Sequence, residues 1–364
     1  MALIALSGYY GFHNIGDEAI LEAVVNALRH HRPDVKMVVF SADPRHTRRA
    51  YGVEAVSRTN LPAIIRVLRK ADLLISGGGG LLQDATGPRS IPYYLGIIRL
   101  AMLLQTKVAV YAQGLGPLRS GWSRFWVKKV LSGVDWLSVR DQASARLLAE
   151  LGVKREITVT ADPVFFLDPV PREAVESFWE AYGVKRPGKE FLVGVALRPY
   201  PGETSFDERL LDVVNDGCRF LEREYNAQLV FLPYHLKKDL PLARALVSRT
   251  SRGIIIEKSF SSRDILRLMG GLNLLIGMRL HALIFASICG VPFVALPYDP
   301  KVDAFLQYIG KSGLPLQSLN LSQLQKGIRA ALTEGDEYKE NLRIKIDGQK
   351  REVQEAIKKI LSLL

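Results

Sequence analysis

An arginine and a histidine stand two residues apart in Gly277-Met278-Arg279-Leu280-His281, directly after the apolar run 272–276. An arginine stays charged and can grip a carboxylate or phosphate through two parallel hydrogen bonds. A histidine exchanges a proton near neutral pH. Together Arg279 and His281 could hold an anionic substrate and do acid/base work on it; the plainer alternative is a histidine that only caps the turn from strand to helix. Other cations recur at the same kind of position, just beyond a short apolar run: Arg140 after 136–139, Arg198 after 191–196, His235 after 229–232 and Lys301 after 293–296. Each alone is as ordinary as a surface charge. Their shared position makes the set unusual.

Three glycine-bearing segments accompany them. Gly8-Tyr9-Tyr10-Gly11-Phe12-His13-Asn14-Ile15-Gly16-Asp17-Glu18 joins the first apolar run to a long helical pattern. That puts Gly16 and Asp17 at a helix start, where free N–H groups can receive a phosphate or carboxylate. The segment matches neither the dinucleotide fingerprint nor the P-loop, and Asp17 reads first as the helix N-cap. Gly77, Gly78, Gly79 and Gly80 follow another strand, as an anion-binding nest or a tight turn. Gln113-Gly114-Leu115-Gly116-Pro117 holds the equivalent place after 107–111, so both segments are expected to border one site. Asp162 and Asp299, each followed by proline, can orient a hydroxyl or a base, or only shape a turn. No histidine or carboxylate set has metal-ligand spacing, so no metal is expected. Cys218 and Cys289 are too few for a disulfide framework, which fits a reducing compartment.

Loops of this kind need strands to carry them. Short apolar runs at 3–6, 37–40, 73–75, 107–111, 136–139 and 157–159 alternate with helical patterns, the clearest of these at 17–29. The alternation breaks at 168–190, where Pro169, Pro171 and Pro187 surround a short helical piece, then resumes at 191–196, 229–232, 254–256, 272–276 and 293–296. This is the signature of parallel sheets built from βαβ units. The expected fold is α/β, with two Rossmann-like doubly wound domains, 1–170 and 191–335, separated by a linker at 171–190 and followed by a C-terminal helix at 336–364. In open α/β sheets ligands bind beyond the C-terminal strand ends, so two facing sheets would line a cleft with these loops. With 364 residues, 48% of them hydrophobic, the chain can bury two cores.

The net charge of +12 calls for an anionic partner: nucleic acid, a phosphorylated metabolite or an anionic membrane. The cations are dispersed and no nucleic-acid motif is present, so nucleic acid is not expected. A local cluster, Arg119, Arg124, Lys128 and Lys129 interleaved with Trp122, Phe125 and Trp126, reads either as a solvated helix face or as a peripheral membrane contact. The apolar stretch 91–104 is broken by Arg99 and is too short to span a bilayer. The N-terminus lacks the positive region of a signal peptide, so the expected location is cytoplasmic.

Taken together, G-Y-Y-G-F-x-N-x-G-D-E-A (8–19), G-G-G-G-L-L-Q-D (77–84), A-Q-G-L-G-P (112–117), S-V-R-D (138–141), A-D-P-V-F (161–165) and G-M-R-L-H-A (277–282) resemble the polysaccharide pyruvyl transferase family, most closely its CsaB type. The resemblance implies a GT-B-like fold and transfer of pyruvate from phosphoenolpyruvate to a sugar as a ketal, with no cofactor. For the CsaB type it implies a lipid-linked β-N-acetylmannosamine acceptor at the inner membrane face and a product that anchors S-layer proteins. The family's functional arginine, histidine and lysine map onto Arg140, His281 and Lys301, with Arg279 in the R-L-H motif. Gly16, Asp17, Gly78, Gly79, Gln113, Arg198 and His235 are the further expected substrate contacts. Two other readings stand beside this one: a nucleotide-sugar glycosyltransferase of the same architecture, and a nonenzymatic binder driven by charge.

Overall fold

The computed structural model describes residues 1–84, 90–182, 190–200, 204–257 and 260–364, with the side chains from 204 to 207 excepted. Residues 183–189 of the expected linker, Pro187 among them, lie outside the described residues. The chain forms two compact units, one of Met1–Phe166 with Gly348–Leu364, the other of Leu167–Asp347.

The first unit holds β1 (Leu3–Ser7), β2 (Lys36–Ser41), β3 (Glu54–Ser57), β4 (Leu73–Leu82), β5 (Lys107–Leu115), β6 (Trp136–Val139) and β7 (Thr158–Val159). They make one parallel seven-stranded sheet in the order β3-β2-β1-β4-β5-β6-β7. The second unit holds β8 (Leu192–Ala196), β9 (Gln228–Phe231), β10 (Gly253–Ile255), β11 (Leu274–Gly277) and β12 (Phe293–Ala295). Its parallel sheet runs β10-β9-β8-β11-β12, the same winding counted from its own first strand. Strand order reverses between β1 and β4 in one unit and between β8 and β11 in the other, and a doubly wound sheet opens its crevice at that reversal.

The strands are near-continuous apolar runs because helices cover both faces of a parallel sheet. Every residue of β6, β8, β11 and β12 is buried. Separate cores result, around Ile98, Val110 and Leu137 in the first unit and around Val195, Leu229 and Ile276 in the second.

One local finding differs from the sequence-based expectation. The four glycines are not a turn: β4 continues through them, and its pairing with β5 extends to Leu82 opposite Leu115 across an irregularity. Gly77, Gly78 and Gly79 have φ of 144, 70 and 104°, and a Cβ on Gly77 would stand 2.2 Å from the carbonyl oxygen of Tyr111. Only glycine keeps the strand paired there. Within 171–190, the helix Arg172–Glu180 buries Val175 and Trp179 and packs on the helix Ser262–Gly270, and Gly271 leaves room for the Trp179 indole. The helix Asp336–Leu361 begins in the second unit, and its far part, with Val353, Ile357 and Ile360 fully buried, belongs to the first. Among the described residues, no helix is long and apolar enough to cross a membrane.

Candidate active site

In the first unit the loop after β1 leads into the helix Ile15–His31, whose N-cap is Asn14: its side chain accepts from the Gly16 N–H at 3.2 Å. Asp17 is therefore not the cap, and the Gly16 N–H, expected to receive a substrate anion, already has an acceptor. The helix starts two residues earlier than the apolar pattern indicates because Ile15 and Gly16 are buried. Asp17 stands in the first turn beside β4, where a Cβ on Gly79 would lie 2.8 Å from its Oδ1. Gly78 takes a similar role: a Cβ there would stand 2.3 Å from Ile20 Cγ2, so the pair lets the helix press against the strand. Glu18, 3% exposed, turns back to accept from the Gly11 N–H and the Tyr51 hydroxyl, both at 2.8 Å, and so closes the loop on itself. Burial and the charge of Glu18 push the Tyr51 phenol far above its ordinary value.

Farther along the same edge, Gln113 Nε2 donates to the carbonyls of Gly79 at 3.0 Å and Gly114 at 2.7 Å. The side chain expected to touch substrate thus uses one amide hydrogen to tie β5 to β4 and the other on its own strand. Arg140, just past β6, pairs its Nη1 with Asp162 Oδ2 at 2.7 Å. Both side chains are more than nine-tenths buried. Gly114 makes room for the guanidinium, since a Cβ there would be 3.1 Å from Arg140 Nε. That Nε is buried with no hydrogen-bond partner among the described residues. A buried donor without an acceptor costs about 1–3 kcal/mol.

At the outer side of this edge Tyr9 and Phe12 stack with centroids 4.0 Å apart. The Arg58 guanidinium lies 4.8 Å from the Phe12 ring and 4.0 Å from that of Tyr93. Arg58 directly follows β3, an edge strand too short and polar to stand out in the sequence, so neither it nor the ring cluster was foreseen.

In the second unit, the C-terminal edge brings four loops side by side in the order of β9, β8, β11 and β12. His235 follows β9, Arg198 follows β8, Arg279 and His281 follow β11, and Lys301 follows β12. Arg279 occupies the N-cap position of the helix Leu280–Ile288, and His281 sits in that helix's first turn. The Arg279 guanidinium grips Asp239 two-handed, Nε to Oδ2 at 3.1 Å and Nη2 to Oδ1. Asp239, only 1% exposed, also accepts from the His235 N–H at 2.9 Å. It is the residue that positions this corner, and its spacing four residues after His235 is the one signal that could have found it. Burial first, then the charges of Lys238 and Arg279, lower the His235 imidazole below its ordinary value, with Asp239 opposing them.

Arg198 lies over the Tyr298 ring, 4.4 Å from its centroid, and donates to the Pro199 carbonyl. Asp299 caps the helix Pro300–Ile309 by accepting from the Lys301 N–H, and it pairs with Lys301 Nζ at 3.1 Å. The second unit thus brings Arg198, His235, Arg279, His281 and Lys301 to one sheet edge, while Arg140 belongs to the first unit. Among the described residues, no three of His, Cys, Asp or Glu are placed to hold a metal ion. Fixed cations with a histidine among them can bind a substrate carrying two acidic groups and shift a proton in it.

The family model described as polysaccharide pyruvyl transferase matches residues 14–300. The amylovoran biosynthesis protein AmsJ of Erwinia amylovora is 22% identical, with 93% of each chain covered. Among solved structures, the UDP-GlcNAc 2-epimerase of Methanocaldococcus jannaschii superposes with a TM-score of 0.64 at 14% identity, covering 94% of this chain and 98% of that one. Anabaena Alr3699/HepE, solved in complex with UDP and glucose, does so with a TM-score of 0.65 at 13% identity, covering 100% of both. At such identities the likeness is one of fold, that of the GT-B class.

Proposed function

This chain belongs to the polysaccharide pyruvyl transferase family, and on that premise we propose that it moves pyruvate from phosphoenolpyruvate onto two hydroxyls of a bacterial cell-wall sugar, closing a ketal. The acceptor we propose is the CsaB-type one, a lipid-linked β-N-acetylmannosamine met at the inner membrane face. The observation that carries the reading is the row of cations at the second sheet's C-terminal edge, with Arg279 held by Asp239. A donor bearing a carboxylate and a phosphate needs such a row.

The chemistry balances without a cofactor. A proton adds to the methylene carbon of the enol phosphate, making it a methyl group and leaving an oxocarbenium-like centre. One sugar hydroxyl adds to that centre and loses its proton; the second displaces phosphate and loses its own. Two hydroxyl protons are released, one matching the proton taken up at carbon and one leaving with phosphate. His281 is the proposed proton donor. Arg279, Arg198 and Lys301 are the proposed holders of carboxylate and phosphate, and Arg140 is a further cation from the first unit. In the first unit, Asp17 is the proposed acceptor of a hydrogen bond from a sugar hydroxyl.

The test is a product mass. Incubated with phosphoenolpyruvate and a β-N-acetylmannosaminyl lipid analogue, the protein is expected to give a product heavier by one pyruvate ketal, with one phosphate released. Phosphate release without that mass sinks the assignment. Tight binding of a nucleoside diphosphate, with no response to phosphoenolpyruvate, would make the protein a nucleotide-sugar glycosyltransferase instead. His281→Ala is expected to fold normally and lose about 100-fold or more in turnover, the range of general acid catalysis.

A further inference from the structure

The helix Gly121–Leu131 follows β5 in the first unit and bears two stripes. Ser123, Val127, Val130 and Leu131 are buried against that unit's core. Trp122, Phe125, Trp126 and Lys129 recur at helical spacing on another face, where Trp122 is 51% and Phe125 56% exposed and Trp126 is half-buried. The rings cluster, with centroids 6.2 Å apart for Trp122 and Trp126 and 5.6 Å apart for Phe125 and Trp126. Lys129 Nζ lies 5.7 Å from the Phe125 centroid and 5.2 Å from that of Trp126. The helix contains no acidic residue, and Arg124, Lys128 and Lys129 are all exposed. Exposed Arg119 precedes it, and exposed Lys154 is tied to its C-terminal end by a backbone N–H to Ser132 Oγ. The helix Ser90–Leu103 packs beside it and ends on Leu103, 64% exposed.

A helix of a water-exposed surface turns one apolar stripe inward. A second stripe, made of tryptophan and phenylalanine and bordered by lysine and arginine, has the composition of an interfacial helix. Indole rings favour the headgroup level, and basic side chains are drawn to anionic lipid. A protein partner would also bury aromatic anchors. A helix with no acidic residue of its own and cations along its length, in a chain of net charge +12, suits a surface that is negative throughout; Asp84, at its start, is taken up by the N–H groups of Arg119 and Ser120.

We propose that the helix Gly121–Leu131 docks the protein on an anionic bilayer, with Trp122 and Phe125 in the headgroup region and Arg124, Lys128 and Lys129 on the lipid phosphates. None of these residues serves the proposed transfer reaction, so the two readings stand or fall separately. The experiment is co-sedimentation of the full chain with vesicles of phosphatidylcholine alone or mixed with phosphatidylglycerol, without donor or acceptor. Wild type is expected to bind the mixed vesicles, to ignore the neutral ones and to detach as salt rises. Trp122→Ser with Phe125→Ser is expected to weaken binding by about tenfold or more, and Lys128→Glu with Lys129→Glu to do likewise. All four side chains are exposed, and an unchanged thermal midpoint verifies that each double variant folds. The proposal is overturned if wild type does not bind the mixed vesicles, or if it binds and neither double variant weakens it. It is equally overturned if wild type shows no vesicle binding but forms a dimer that Trp122→Ser with Phe125→Ser abolishes, which would assign the face to a second copy of the chain.

Discussion

The two units wind their sheets in the same order yet arm the equivalent edge with opposite charge. At the first reversal point stand Asp17 and Glu18, where glycines bring helix and strand together, and farther along the same edge Asp162 pairs with the buried Arg140. Around the second stand Arg198, Arg279 and Lys301, with His235 and His281, against Asp239 and Asp299. Shared winding decides where a crevice opens; the first residues past each strand decide what chemistry enters it. At the first edge Glu18 and Asp162 are spent on partners inside the fold, whereas the second edge gathers its cations past four neighbouring strands.

Substitutions can break this contrast at either rim. The largest effect is expected from Asp162→Ala, which strands Arg140 as a buried charge and should cost about 3–5 kcal/mol in urea unfolding. A loss below about 1 kcal/mol would mean the Arg140 charge is balanced by another group. Next comes Gly78→Ala, with a φ of 70° and a new Cβ 2.3 Å from Ile20 Cγ2, expected to cost about 1–3 kcal/mol. Gly96→Ala is its control: nothing lies within 4 Å of the added Cβ in a helix, and a gain of about 0.4–1 kcal/mol is expected. If the cationic rim binds the donor, Asp239→Asn should loosen Arg279 and raise the KM for phosphoenolpyruvate about tenfold, equivalent to about 1.4 kcal/mol, while Asp17→Asn should leave that KM alone. Equal responses of donor KM in both variants would erase the division of labour.

The smallest effect sharpens the contrast within the cationic rim. His235 should titrate below 6.5 by NMR, because burial and neighbouring cations disfavour its charged form. Its contribution to stability is then whole above pH 6.5 and declines as pH falls from there through the folded-state value, since the unfolded chain takes up the proton first. A titration at or above 6.5 would place the imidazole in a setting that Asp239 dominates.

Strands such as 136–139 were legible because full burial leaves an unbroken apolar run, whereas β3, at the sheet edge, carries only Ala55 and Val56 between polar ends. The glycine run was legible as a special backbone but not as a strand, because local composition does not show that Gly77 must pass beside the Tyr111 carbonyl. At the candidate site, the cations were legible from their place after apolar runs. What fixes them was not: Asp239 meets Arg279 from 40 residues away and Asp162 meets Arg140 from 22. Pairings made by tertiary approach leave no spacing in the chain. The Gln113 amide bond to the Gly79 carbonyl is of the same kind, made to backbone that only folding brings near.

The helix Asp336–Leu361 starts in one unit and finishes in the other, where Lys107 Nζ donates to the Leu363 carbonyl. Residues 348–364 lie along the edge of the first sheet near Trp136, Thr158 and Thr160. In order of synthesis, the half that leaves the ribosome first is therefore completed by a segment translated only after the whole of the other half. Until then its sheet edge at β7 is uncovered, and assembly of the two halves is chained to a single late event.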